Sequence, residues 1–140
     1  MIAIGADHVG YEYKKLIIEY LEKKGYKVKD FGCDGVDSVD YPVYGEKVAR
    51  AVASGECDRG IVICGTGIGI SIAANRVKGA RCALCGDPFT AKMTRFHNDA
   101  NMIALGAWII GIGIAFEIID VWLSTEFEGG RHIRRIEMLG

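Results

Sequence analysis

Cys64 and Thr66 stand two residues apart in the run IVICGTGIGISIAAN, Ile61 to Asn75, interleaved with Gly65, Gly67 and Gly69. A thiolate can serve as nucleophile or base, and a nearby hydroxyl can orient a reacting group or relay a proton. Four apolar residues lead into the glycines and an Ala/Ser/Ile-rich helical pattern follows them, so the run predicts a buried strand, a tight turn and a helix start. At such a turn the unpaired N–H groups and the positive end of the helix dipole face one small space. An anion or a developing oxyanion is stabilised there, and so is a thiolate. Two further groups have chemistry to offer. Asp7-His8 closes the first apolar run, and Arg131 and Arg135, four residues apart near the C-terminus, share a helical face.

Several familiar readings of these residues fail. The glycine spacing is not the dinucleotide fingerprint, because the sixth place is Ile70 and the turn lies mid-chain. No Gly-Lys-Ser/Thr follows, which excludes a P-loop. Cys82 and Cys85 have the spacing of a metal or redox pair, but RCALCG reads as a strand, where residues three apart point to opposite faces. No second ligand pair completes a zinc set. The five cysteines, an odd count without a signal peptide, are expected to be reduced thiols in a cytoplasmic protein. A formal net charge of −1 argues against nucleic acid as the partner. The uncharged stretch from Met102 to Phe116 is cut by Gly106, Gly111 and Gly113, too short and too broken to span a membrane.

The 140 residues are expected to form one domain, with residues 126–140 as a C-terminal arm. Strands are expected at Ile2–Ala6, Tyr26–Phe31, Ile61–Cys64, Arg81–Cys85 and Asn101–Gly106. Helices are expected from Tyr11 to Lys24, from Pro42 to about Ser54, after the glycine turn, from Asp87-Pro88 to about His97, and from Ile110 to Leu123. The last of these is apolar on most sides and predicts a subunit interface. A short helix should close the chain after Gly129-Gly130. Strict alternation of strand and helix implies an α/β fold: a Rossmann-like three-layer αβα sandwich on a five-stranded parallel sheet, with expected order 2-1-3-4-5. In that order Asp7-His8 and Cys64-Gly65-Thr66 line one crevice at the topological switch point.

Taken together, Asp7-His8-x-Gly10, Asp40-Tyr41-Pro42, Cys64-Gly65-Thr66-Gly67-Ile68-Gly69, Ser71-Ile72-Ala73-Ala74-Asn75, His97-Asn98-Asp99-Ala100-Asn101 and Gly129-Gly130-Arg131-His132 resemble ribose-5-phosphate isomerase type B. They run in the family's order across nearly the whole chain. The resemblance implies an aldose–ketose isomerase that opens a cyclic sugar and moves a proton between C1 and C2 through a cis-enediolate, without cofactor or metal. It makes Cys64 the base, His97 the ring-opening acid/base and Thr66 an orienting or relaying group. The N–H groups from Gly65 through Gly67 and Ile68 to Gly69 would hold the enediolate oxygens. Asp7 and Asn98 match positions that hold sugar hydroxyls, and His8, Arg131 and Arg135 match those that hold phosphate, for which guanidinium forks are suited.

Two departures bear on this. Some relatives use a carboxylate on the glycine-turn side, where this chain has Ile70, so the thiol route is the one available. Relatives usually carry an Arg after the fifth strand that reaches phosphate from the neighbouring subunit, where this chain has Trp108. Trp108 is therefore either interface core or a specificity residue that relaxes the demand for phosphate. The resemblance also implies a homodimer or tetramer with a composite site, His97 and Asn98 facing the partner's glycine turn. Galactose-6-phosphate and allose-6-phosphate isomerases look similar, so a hexose 6-phosphate or an unphosphorylated aldose stands as an alternative substrate. A flavodoxin-like nucleotide-binding module is the alternative of another class.

Overall fold

A computed structural model describes residues 1–140. In chain order the elements are β1 (Ile2–Ala6), α1 (Tyr11–Lys23), β2 (Val28–Asp30), α2 (Tyr41–Ala53), β3 (Arg59–Cys64), α3 (Ile68–Asn75), β4 (Cys82–Leu84), α4 (Pro88–Asn98), β5 (Met102–Gly106), α5 (Ile112–Ser124) and α6 (His132–Met138). The strands are all parallel, in the order β2-β1-β3-β5-β4. No helix is long and apolar enough to cross a membrane.

Strand pleat divides the core into the two layers expected of a three-layer sandwich. Ile2, Ile4, Ile61, Ile63, Ile103 and Leu105 point to one face, where α1, α4 and α5 bring Ile17, Leu21, Ala91, Ile118, Ile119 and Trp122. Their neighbours Ala3, Val62, Cys64, Met102 and Ala104 point to the other, against Val48 and Val52 of α2 and Ile70 and Ala74 of α3. Each fully buried aliphatic side chain contributes roughly 1.5–3 kcal/mol relative to exposure.

The expected order 2-1-3-4-5 is wrong at its last two strands, because β5 and not β4 lies beside β3, from Gly60↔Met102 to Cys64↔Gly106. The interior lane goes to the strand that can be buried on both faces: Met102–Gly106 is buried throughout, whereas β4 is three residues long and leaves Leu84 46 % exposed. The swap has a consequence for layers. With right-handed crossovers the return from β4 to β5 carries α4 onto the face of α1 and α5, where an uninterrupted order would put it with α2 and α3. It also makes the chain leave β3 for one layer and both of its neighbours, β1 and β5, for the other, so the crevice opens at the Cys64 end of β3.

The apolar run at α5 is absorbed by its own chain more fully than its composition suggests. Ala115, Ile118, Ile119 and Trp122 are buried, Phe116 stacks on Tyr20 of α1 with ring centroids 4.0 Å apart, and Trp122 Nε1 donates to Ala100 O at 3.0 Å. On α5 Ile114 is left 41 % exposed, and further large exposed apolar side chains gather on α3, the β4 edge and the segments beside them: Ile68, Ile72, Leu84, Phe89, Trp108 and Ile109.

Candidate active site

Cys64 is the last residue of β3 and is 5 % exposed. The turn after it is closed by side chains as well as backbone: Gly67 N–H donates to Cys64 Sγ at 3.2 Å, and Ile68 N–H donates to Thr66 Oγ1 at 3.2 Å. Gly67 is the N-cap of α3 in the left-handed region, φ 80°, where a Cβ would lie 2.7 Å from Leu84 and 2.9 Å from the Leu105 carbonyl carbon. Only glycine satisfies both demands. Beyond it, the N–H groups of Gly69 and Ile70 belong to the first turn of α3, which has no earlier helical carbonyls to bind. The site thus holds a thiol, a hydroxyl and outward-facing N–H donors at a helix N-terminus.

Asp7 and His8 stand beside this turn at the end of β1, since Asp7 N–H donates to Ile63 O at 3.1 Å. Asp7 is buried, and its Oδ1 accepts from Val9 and Gly10 N–H at 3.0 and 3.1 Å, which fixes the carboxylate at the mouth of α1. His8 Nδ1 accepts from Val39 N–H at 3.1 Å, tying down the Gly32–Tyr41 loop and leaving Nε2 as the donor in the neutral ring. Tyr41, at the other end of that loop, lies against Gly69: a Cβ there would come within 2.6 Å of its ring.

Trp108 is not in the core. It is 72 % exposed, and its ring covers Gly65 so closely that a Cβ would lie 2.6 Å from it. The β3–β5 pairing continues past both strands, with Ala107 and Trp108 N–H donating to Cys64 and Gly65 O, each at 2.9 Å, and this holds the indole over the turn. Thr66 and Ile68 of the turn, with Leu84, Gly106 and Ile109, line an open cavity of about 350 Å³.

The remaining sequence-predicted residues lie elsewhere. α4 runs back from the carboxyl end of the strands, so His97 and Asn98 arrive just before Met102 begins β5, whereas Cys64 pairs with Gly106 at its end. The length of β5, roughly 13 Å at ~3.3 Å per residue, separates the two groups within one chain. His97, Asn98, Arg131, His132 and Arg135 line their own cavity of about 370 Å³. Asn98 Oδ1 accepts from Thr94 Oγ1 at 3.0 Å, leaving its amide N–H groups to donate, and Arg131 stands 3.7 Å from Glu128.

Sequence reasoning assigned no role to His132 or Tyr41, although both lie in the quoted motifs. A histidine four residues after Glu128 in a helix start was the signal for the first; nothing local placed the Tyr41 ring on Gly69. The nitrogen and oxygen ligand atoms of His97, Glu128 and His132 lie within 4.8 Å of one another. The two rings stack at 25°, however, and a metal must lie in the plane of each imidazole that binds it, so this geometry does not make a metal centre. Cys82 and Cys85 point into opposite layers as expected of a strand, and burial pushes the Cys85 thiol up to about 11 and Cys82 higher still. Neither is a ready thiolate.

Comparison with known proteins supplies the family. The ribose/galactose isomerase family matches residues 2–139. Ribose-5-phosphate isomerase B of Escherichia coli is 47 % identical over 138 residues, covering 99 % of this chain and 93 % of that protein. D-Erythrulose-4-phosphate isomerase of Pectobacterium atrosepticum is 44 % identical over 140 residues, covering 99 % and 92 %. The structure of ribose-5-phosphate isomerase B from Clostridium thermocellum superposes with a TM-score of 0.98 at 57 % identity, covering 99 % of this chain and 94 % of that one. The match spans every element described above, and the chain belongs to the ribose/galactose isomerase family, as a sugar-phosphate isomerase that interconverts aldose and ketose.

Proposed function

We propose that the chain interconverts ribose 5-phosphate and ribulose 5-phosphate through a cis-enediolate, with Cys64 as the base. The observation that carries this reading is Cys64 Sγ at a helix N-terminus, already accepting Gly67 N–H, with the outward N–H groups of the same turn beside it. From the open aldose the thiolate takes the C2 proton, and the electron pair moves through C1 onto O1. Turn N–H groups hold that oxyanion. The O2 proton passes to O1 across the cis face, and Sγ returns its proton to C1, which leaves the ketose. Thr66, whose Oγ1 is anchored by Ile68 N–H, orients the reacting oxygens.

Ring opening must precede this step, and His97 is the group assigned to it. His97 and Asn98 lie a strand's length from Cys64 in their own chain, so we place them in the site of a second copy. One protomer brings Asp7, His8, Cys64, Thr66 and the glycine turn; its partner brings His97, Asn98, Arg131 and Arg135. Support comes from the exposed apolar side chains on α3 and the β4 edge, which border the glycine turn and are the surface a second copy would cover. His8 Nε2 and the two guanidinium groups form the phosphate-binding set. No cofactor is required by this chemistry.

Trp108 favours a second reading of the substrate. An exposed indole over Gly65 offers a flat face to the C–H side of a sugar where a cation would offer charge. Six-carbon or unphosphorylated aldoses are the alternative, and a named relative acting on a four-carbon phosphate shows that sugars differ within the family. A panel of tetrose, pentose and hexose phosphates and the free sugars, scored for aldose–ketose conversion, tests both readings. Highest kcat/KM on ribose 5-phosphate supports the first; preference for allose or a hexose 6-phosphate replaces it with the second.

A further inference from the structure

Behind His97 stands a buried imidazole that the reaction above does not use. His132, the first residue of α6, is 4 % exposed, and its ring stacks on His97 with centroids 4.6 Å apart. Its Nε2 is buried with no hydrogen-bond partner. Glu128 Oε1 is 3.5 Å away, and the same oxygen is 3.7 Å from Arg131 Nη1. Both separations exceed a hydrogen bond, so with the ring proton on Nε2 one carboxylate stands between two donors and satisfies neither. A buried donor left unmade is costly, and Glu128, with its side chain 46 % exposed, has room to rotate toward either. Arg135 of α6 lines the same cavity as the two rings, and on α4 Arg95 is held by Asp99 at 2.7 Å.

We propose that Glu128 and His132 form a positioning pair for His97 that closes when an anion occupies Arg131. A bound phosphate draws the Arg131 guanidinium to itself; Glu128 then turns to accept His132 Nε2–H, and the fixed His132 ring holds the His97 ring that lies on it. The inference rests on the roles given above to His97 and Arg131. It makes the phosphate group of the substrate contribute to turnover as well as to affinity, because binding energy remote from the reacting carbons orders the ring-opening group.

The test uses the full chain and reads the imidazole nitrogens by NMR as inorganic phosphate is added. In the wild type, phosphate moves the His132 Nε2 signal toward a hydrogen-bonded donor and shifts His97 with it; in Glu128→Ala both responses vanish while phosphate still binds. On ribose 5-phosphate, Glu128→Ala and His132→Asn each lower kcat roughly tenfold with KM within about threefold. An open-chain analogue is spared. Glu128 is at the surface, so its variant decides the matter even where His132→Asn fails to fold. A Glu128→Ala protein whose histidine signals still answer phosphate, or whose loss falls on KM, overturns the pair. His97→Asn with undiminished turnover would overturn instead the ring-opening role, and the phosphate titration still reports on the pair.

Discussion

The two ends of the sheet are built on different principles. At the carboxyl end, Asp7, His8, Cys64 and Thr66 are held by backbone: Asp7 by Val9 and Gly10, His8 by Val39, Cys64 by Gly67, Thr66 by Ile68. At the amino end, His97, Asn98, Arg131 and Arg135 stand on the last turn of α4 and on α6, and their neighbours are side chains: Thr94, His132 and Glu128. The first set is held by hydrogen bonds from main-chain N–H groups, which on the proposed mechanism suits atoms that must meet a carbon within a fraction of an ångström. The second can adjust, which suits the phosphate capture and ring opening proposed for it. On the proposed mechanism, rigidity sits where the carbon–hydrogen bond is broken.

Removing the thiol should expose this difference most. Cys64→Ala is expected to lower isomerisation roughly 10²–10⁴-fold while calorimetry still detects sugar-phosphate binding; activity within tenfold of wild type would sink the assignment of the base.

His97→Asn should follow, with a loss of roughly 10²-fold on cyclic aldose and a much smaller one on an open-chain analogue. Equal losses on both substrates would give His97 another role. Mixing it with Cys64→Ala under conditions that exchange subunits should restore about a quarter of wild-type activity, since random pairing gives half the dimers one intact site of two. No recovery from verified mixed dimers would show that each chain builds its own site.

Arg131→Ala lies on the adjustable side and removes a charge-assisted contact of about 1.5–3 kcal/mol, so KM for ribose 5-phosphate should rise roughly tenfold to a hundredfold, while KM for a free aldose stays put. A matching rise for the free sugar would contradict phosphate recognition there.

The smallest effect is expected at Trp108, a large exposed ring on the rigid side. Trp108→Arg should tighten ribose 5-phosphate and weaken free-aldose turnover, each by roughly tenfold or less. Unchanged ratios in a competition assay would remove Trp108 from specificity.

Much of the fold was readable in the residues. The pleat alternation that sorts Ile61 and Ile63 from Val62 and Cys64 is written in a strand apolar on both faces, and the Gly-interrupted exit of that strand forced a turn that only glycine at Gly67 can make. Helix limits at Pro42 and Pro88 were local facts of proline chemistry and capping, the latter visible as Asp87 accepting Thr90 N–H at 2.7 Å. Tertiary structure alone decided which strand lies beside β3, because β4 and β5 offer similar local propensity and only competition for a lane buried on both faces separates them. It also decided that Trp108 covers Gly65 at the surface, and that His97 lies on His132 a strand's length from Cys64. Periodicity reports which side of its own element a residue occupies; which elements meet, and at which end of the sheet, depends on how the whole chain divides its burial.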